Sequence, residues 1–133
     1  MTNGILEVPG AIARSHTSGG NIGTVNRNTF SSLILAAEGP IAAEFMSYGC
    51  SHCRALEPVL QKVAEMVKSK VKIFRVNTAV DEDLAGQYEI RGTPTLVMFL
   101  NGKEIGRVEG PSPTLASVLE AVAQPFELEN VVA

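Results

Sequence analysis

The sequence predicts an α/β domain with a mixed central sheet covered by helices on both faces. Three observations carry that expectation. Apolar runs of strand length alternate with apolar stripes at helical spacing along most of the chain. Asn101-Gly102, set between two extended runs, marks a tight antiparallel hairpin near the C-terminus. The chain's 2 cysteines, Cys50 and Cys53, stand where a buried apolar run gives way to a helical stripe. Alternation of strands and helices calls for a parallel core, and the closing hairpin adds an antiparallel edge.

The 133 residues suit one domain able to bury its own core. With 45% hydrophobic and 19% charged residues the composition is that of a compact chain and not a disordered one. A formal charge of −3 gives no electrostatic reason to expect nucleic acid or an anionic membrane as partner. No apolar run approaches the roughly 20 residues of a membrane helix, and residues 1–9 lack the pattern of a secretory signal. The expectation is therefore a cytoplasmic, monomeric protein. In a reducing compartment a cysteine pair is there for catalysis or metal binding more often than as a staple. A disulfide across two residues would close a tiny loop and contribute little chain entropy.

Residues 1–20 read as a mobile N-terminal extension, with a short apolar patch (Ile5, Leu6, Val8) followed by linker composition around His16, taken as a solvated loop histidine. The domain proper is expected over residues 21–123, and residues 124–133 as a tail. Ile22 to Val25 suits a short edge strand. Asn26 or Asn28 can cap a helix whose stripe is Phe30, Leu33, Ile34 and Ala37, ended by Gly39-Pro40. Ile41 to Met46 reads as a central strand carrying one acid, Glu44. A long helix from about Cys50 to Ser69 follows, with Pro58 inside it and a kink expected there. Val71 to Val76 is a β-branched strand, Asp81 to Tyr88 a short helix opened by acids, and Thr95 to Leu100 a further apolar strand. Lys103 to Glu109 completes the hairpin. Leu115, Val118, Leu119 and Val122 form the last helical stripe, opened by Ser112-Pro113-Thr114.

These landmarks, in this order, resemble the thioredoxin family. Glu44-Phe45 lies six residues before Cys50, Cys50 and Cys53 frame Ser51-His52, and Pro58 follows five residues beyond Cys53. Arg91-Gly92-Thr93-Pro94-Thr95, Phe99-Leu100-Asn101-Gly102 and Gly110 complete the set. The resemblance covers roughly residues 20–123. It implies a thioredoxin fold with strand order 1-3-2-4-5 and a cis Pro94 facing the two sulfurs. It also implies a redox-active Cys50-Cys53 disulfide in place of any bound cofactor. Protein disulfides would be the substrates and a thioredoxin reductase a partner. Three features depart from the family's usual Trp-Cys-Gly-Pro-Cys surroundings: Ser51-His52 between the cysteines, Gly49 and Met46 where tryptophans are usual, and Glu44 in place of the buried aspartate.

On this reading Cys50 is the attacking thiolate, placed among the unpaired N–H groups that open a helix. Cys53 is the resolving thiol. His52, when protonated, would favour the Cys50 anion and raise the potential by tens of millivolts above the ~−270 mV of a thioredoxin. Glu44 is either a strand-end acid reaching water or a buried acid that takes the Cys53 proton. Arg75 is either its electrostatic partner or a solvated strand-end charge. Pro94 and Thr93, with Gly92, would receive an extended substrate, and Tyr48, Gly49 and Gly110 are placed along the same groove. Two other readings compete with the oxidoreductase. One is a binding module for a specific client with little turnover. The other is a metal protein, for which Cys50, Cys53 and His52 supply too few well-placed ligands.

Overall fold

The computed structural model describes residues 21–128. The expected N-terminal extension with its apolar patch and His16, and the last residues of the expected tail, lie outside them. Five strands form one sheet: β1 (Ile22–Val25), β2 (Pro40–Met46), β3 (Lys72–Asn77), β4 (Thr95–Leu100) and β5 (Lys103–Glu109). Their order is β1-β3-β2-β4-β5. β3 runs parallel to both β1 and β2, while β4 is antiparallel to β2 and to β5. The mixed sheet and its order are those expected.

Strand alternation sorts the side chains onto two faces. Ile41, Ala43 and Phe45 of β2, with Val76, Val97 and Phe99, pack against Phe30, Ile34 and Leu84. Phe30 and Tyr88 rings lie 5.3 Å apart, and Tyr88 meets Phe99 edge-on at 5.7 Å. On the other face Ala42, Ile73, Leu96 and Met98 pack against two helices. These are α1 (Ser51–Val67), through Leu56, Leu60 and Val63, and α3 (Leu115–Ala123), through Val118 and Val122. α2 (Glu82–Gln87) begins with Glu82 and Asp83, whose charges suit its N-terminal dipole.

The helix expected after β1 takes a different form. The Asn26 carboxamide oxygen accepts from the backbone N–H groups of Asn28 and Thr29 at 2.8 and 3.1 Å, closing a tight turn. The chain then makes only a π-helical turn over Ser31–Leu35, with Ala36 N–H donating to the Ser31 carbonyl at 2.8 Å. Ser32 Oγ bonds back to the Thr29 carbonyl at 3.3 Å, an alternative to regular helix that serines offer. Phe30 and Ile34 are buried as expected, but Leu33 turns outward. The widened turn thus buries two of the stripe's residues without a full helix.

α1 runs unbroken through Pro58. The β4–β5 turn has Asn101 and Gly102 both at positive φ, 52° and 83°, the mirror-image turn that matches strand twist. A side chain at Gly102 would collide with the Leu35 carbonyl. Asn101 Oδ1 also accepts from Gly39 N–H at 2.7 Å, tying this turn to the entry of β2. Thr114 caps α3 through its hydroxyl, 3.2 Å from Ser117 N. Past α3 the chain makes a 3-10 turn over Gln124–Phe126, and Phe126 and Leu128 pack on the helical core.

Candidate active site

β2 ends at Met46, and the loop Ser47–Gly49 delivers the chain to the start of α1. Cys50 is the N-cap, with extended backbone and its side chain accepting from Cys53 N–H at 3.1 Å. An N-cap acceptor is ordinarily an oxygen; here a sulfur takes that place, among donors that favour an anion. Cys50 also lies 3.5 Å from the Thr93 carbonyl. Desolvation pushes the Cys50 thiol up. The hydrogen bonds from the Cys53 and Thr93 side chains, with those from the backbone N–H groups of Cys53 and His52, outweigh it and leave the thiol below its usual value.

Cys53 faces inward, one turn into α1, and is buried. Burial, together with its bond to Cys50, pushes its pKa up to about 11. Both cysteines are free thiols. Two sulfurs in one helical turn therefore hold their protons very differently.

Facing Cys50 is the loop before β4, where the Thr93–Pro94 peptide is cis. The Pro94 carbonyl accepts from Gly110 N–H at 2.8 Å, and Thr95 Oγ1 donates to the Gly92 carbonyl at 2.7 Å. Gly92, Thr93, Pro94 and Gly110 thereby line one open groove of about 310 Å³, with Arg91 and Glu109 at its rim. Gly110 has φ +56°, a conformation a side chain rarely adopts. Tyr48 and Gly49 are not part of this groove. Tyr48 is exposed on the opposite flank of Cys53, where its carbonyl accepts from Arg54 at 3.1 Å. Gly49 is an exposed loop residue whose N–H meets Ser47 Oγ at 3.3 Å.

His52 leans across to the loop after β5. Its Nε2 lies 3.0 Å from the Pro111 carbonyl, an oxygen that only accepts, so that nitrogen carries a proton. The ring is anchored to the groove wall, and it is the backbone N–H of His52 that reaches Cys50.

Beneath the dithiol lies a buried charge network. The β2–β3 register sets Glu44 directly beside Arg75, and alternation points both toward α1. Glu44 is fully buried, and neither carboxylate oxygen has a hydrogen-bond partner. Burial raises its pKa to about 7, against the pull of Arg75 and with a smaller push from Glu57. Arg75 Nε lies 3.7 Å from Glu44 Oε1, while its Nη2 holds both oxygens of Glu57 at 2.7 and 2.8 Å. Arg75 is thus an interior charge, not a solvated strand end. Met46, Ser47, Tyr48, Cys53, Glu57 and Arg75 are among the residues that enclose a cavity of about 190 Å³ beside the Cys53 sulfur. Among the described residues no group of three or more His, Cys, Asp or Glu is placed to hold a metal ion.

The family model for thioredoxin matches residues 21–123, most of the chain. The chain belongs to the thioredoxin family. It is 35% identical over 98 residues to Thioredoxin 1 of Nostoc sp., a match covering 72% of this chain and 92% of that protein. Thioredoxin of Synechocystis sp. is 36% identical with the same coverage. The M-type chloroplastic thioredoxin of Brassica napus is 29% identical over 86% of this chain, and the match spans 66% of that protein's length. In fold, a mutant thioredoxin from Halobacterium salinarum superposes with a TM-score of 0.71 at 24% identity, covering 85% of this chain and 98% of that one.

Thioredoxins are thiol–disulfide oxidoreductases whose redox group is the active-site dithiol, and that dithiol is present here as Cys50 and Cys53. Sequence reading singled out Glu44 and Arg75 but passed over Glu57, Ser47 and Pro111. Glu57 had a signal: it lies one helical turn beyond Cys53, on the same face of α1. Pro111 had none, because its role comes from a carbonyl placed by a distant loop.

Proposed function

We propose that this member of the thioredoxin family reduces or exchanges protein disulfides through Cys50 and Cys53, as a milder reductant than is typical of the family. The observation that carries the reading is the placement of the two sulfurs: Cys50 Sγ caps α1, 3.1 Å from Cys53 N–H, while Cys53 is buried one turn further in. The Cys50 thiolate attacks one sulfur of a substrate disulfide, forming a mixed disulfide and expelling the other sulfur as a thiolate, which takes a proton from water. Cys53 then gives its proton to the Glu44 carboxylate and attacks Cys50 Sγ. The mixed disulfide breaks, the Cys50–Cys53 disulfide forms, and the second substrate thiolate leaves. Two electrons pass from the dithiol to the substrate, and an external dithiol or a thioredoxin reductase restores them. A base that titrates near the working pH suits this task, and Glu44 at about 7 is such a base.

The substrate would lie extended along Gly92, Thr93, Pro94 and Gly110, its backbone pairing with Thr93. The backbone N–H that His52 offers Cys50, where the family usually has a proline, would further stabilise the thiolate and so the reduced form, and the expected potential lies above ~−270 mV by tens of millivolts. The protein would act as a monomer in a reducing compartment, the cytoplasm in this reading. No described helix is long and apolar enough to cross a membrane.

Insulin reduction driven by dithiothreitol tests the activity, and equilibration against glutathione buffers tests the potential. Turnover well above the uncatalysed rate and a potential above ~−270 mV are expected. Absence of turnover would favour a client-binding module; a potential at or below that value would remove the milder-reductant reading.

A further inference from the structure

Arg75 sits between two carboxylates and treats them unequally. Its Nη2 gives Glu57 two short bonds, at 2.7 and 2.8 Å, whereas its Nε approaches Glu44 only to 3.7 Å. That last distance is too long for a hydrogen bond, so Glu44 receives Coulomb attraction without a donor. Glu57 is itself held in place: Gln61, one turn further along α1, donates to Glu57 Oε2 at 2.6 Å. The Glu57 side chain is 32% exposed, whereas Glu44 is fully buried. Water therefore supports the charge on Glu57 and not that on Glu44. The cavity beside Cys53 is walled by Glu57 and Arg75, so the network reaches the resolving thiol.

We propose that Glu57 is a positioning residue for the resolving step: by holding Arg75 through Nη2 it keeps the guanidinium from satisfying Glu44, and so sets the pH range over which Glu44 accepts the Cys53 proton. The charges that act on Glu44 are Arg75 from β3 and Glu57 from α1. From β4, apolar Leu96 stands opposite it. Tyr48, on the loop after β2, acts on Arg75. Removing the Glu57 charge has two effects of the same sign. One negative neighbour disappears, and Arg75 is released to donate to Glu44. Both favour the ionised Glu44. The proton would then leave Glu44 at lower pH, making it a weaker base for Cys53.

The inference rests on the reading of Glu44 as proton acceptor, and two readouts on the full chain separate them. The first is the titration of the Glu44 carboxyl by difference infrared spectroscopy, with Glu44→Gln identifying the band. The second is the pH profile of single-turnover resolution of a mixed disulfide formed on Cys50. In Glu57→Gln the infrared midpoint is expected to fall by about one pH unit, with the resolution profile moving down alongside it. Glu57→Ala should do the same. A merely structural Glu57 would lower the melting temperature and leave the midpoint in place, and an unmoved midpoint overturns the inference. An infrared midpoint that falls while the resolution profile stays fixed upholds the grip of Glu57 on Glu44 and removes Glu44 as the acceptor.

Discussion

The two flanks of the dithiol are built from opposite materials. On the outer flank Cys50 meets backbone: the N–H groups opening α1, the Thr93 carbonyl, and a groove of glycines and Pro94. On the inner flank Cys53 meets a cavity walled by Met46, Tyr48 and the Arg75–Glu57 pair, with Glu44 buried beside Arg75. Hydrogen bonds from the Cys53 and Thr93 side chains and from backbone N–H groups lower one thiol; burial raises the other. One turn of helix is enough to take two identical side chains from the dipole's open end into the core. The proposed chemistry uses the same division, with attack by Cys50 outside and resolution by Cys53 inside.

The largest effects should come from the sulfurs themselves. Cys50→Ser is expected to abolish disulfide reduction and form no covalent complex, whereas Cys53→Ser accumulates a mixed disulfide visible on non-reducing gels. Identical behaviour of the two variants would break the division between the flanks.

Glu44 contributes the next largest effect. Its folded-state pKa is raised, so the native chain keeps a proton that the unfolded chain releases between pH 4.5 and about 7. The associated stability is fully present below 4.5 and is lost as pH rises through 7, an effect of roughly 3 kcal/mol. Urea unfolding of wild type and Glu44→Gln across that range should show the wild type losing about that much relative to the variant. Parallel curves would mean that Glu44 is not carrying a buried proton.

On the outer flank the expected changes are smaller. His52→Pro removes both the backbone N–H that reaches Cys50 and the ring bond to Pro111, and a proline is tolerated in a first helical turn. The potential should drop by about 30 mV, equivalent to ~1.4 kcal/mol. His52→Ala, which keeps the N–H, should move it by clearly less; an equal drop would assign the effect to the ring. Gly110→Ala should cost about 1 kcal/mol, because φ +56° disfavours a side chain. It should weaken substrate capture in the groove while leaving the Cys53 titration where it was.

Much of this was legible in the residues because it depends on short-range order. Asn101-Gly102 dictates its own turn, and Cys50 at a strand-to-helix junction has to meet helix N–H groups, whereas the choice between a buried and a water-reaching Glu44 needed the sheet. The π-helical turn at Ser31–Leu35 was not legible, since Phe30 and Ile34 bury equally well in a regular or a widened turn. Glu57 was hidden for another reason. Its meaning depends on Arg75, which stands 18 residues away on β3 and is brought over α1 only by the sheet register. His52 shows the same limit: its ring position is decided by the Pro111 carbonyl, 59 residues on.

The inequality of the two thiols is tested most directly by measuring how fast each cysteine is alkylated by iodoacetamide as pH is raised, read separately by peptide mass spectrometry on the reduced protein. Cys50 is expected to reach half its maximal rate below the range of an ordinary thiol, while Cys53 stays unreactive until pH approaches about 11. A shared midpoint, or a lower one for Cys53, would contradict it.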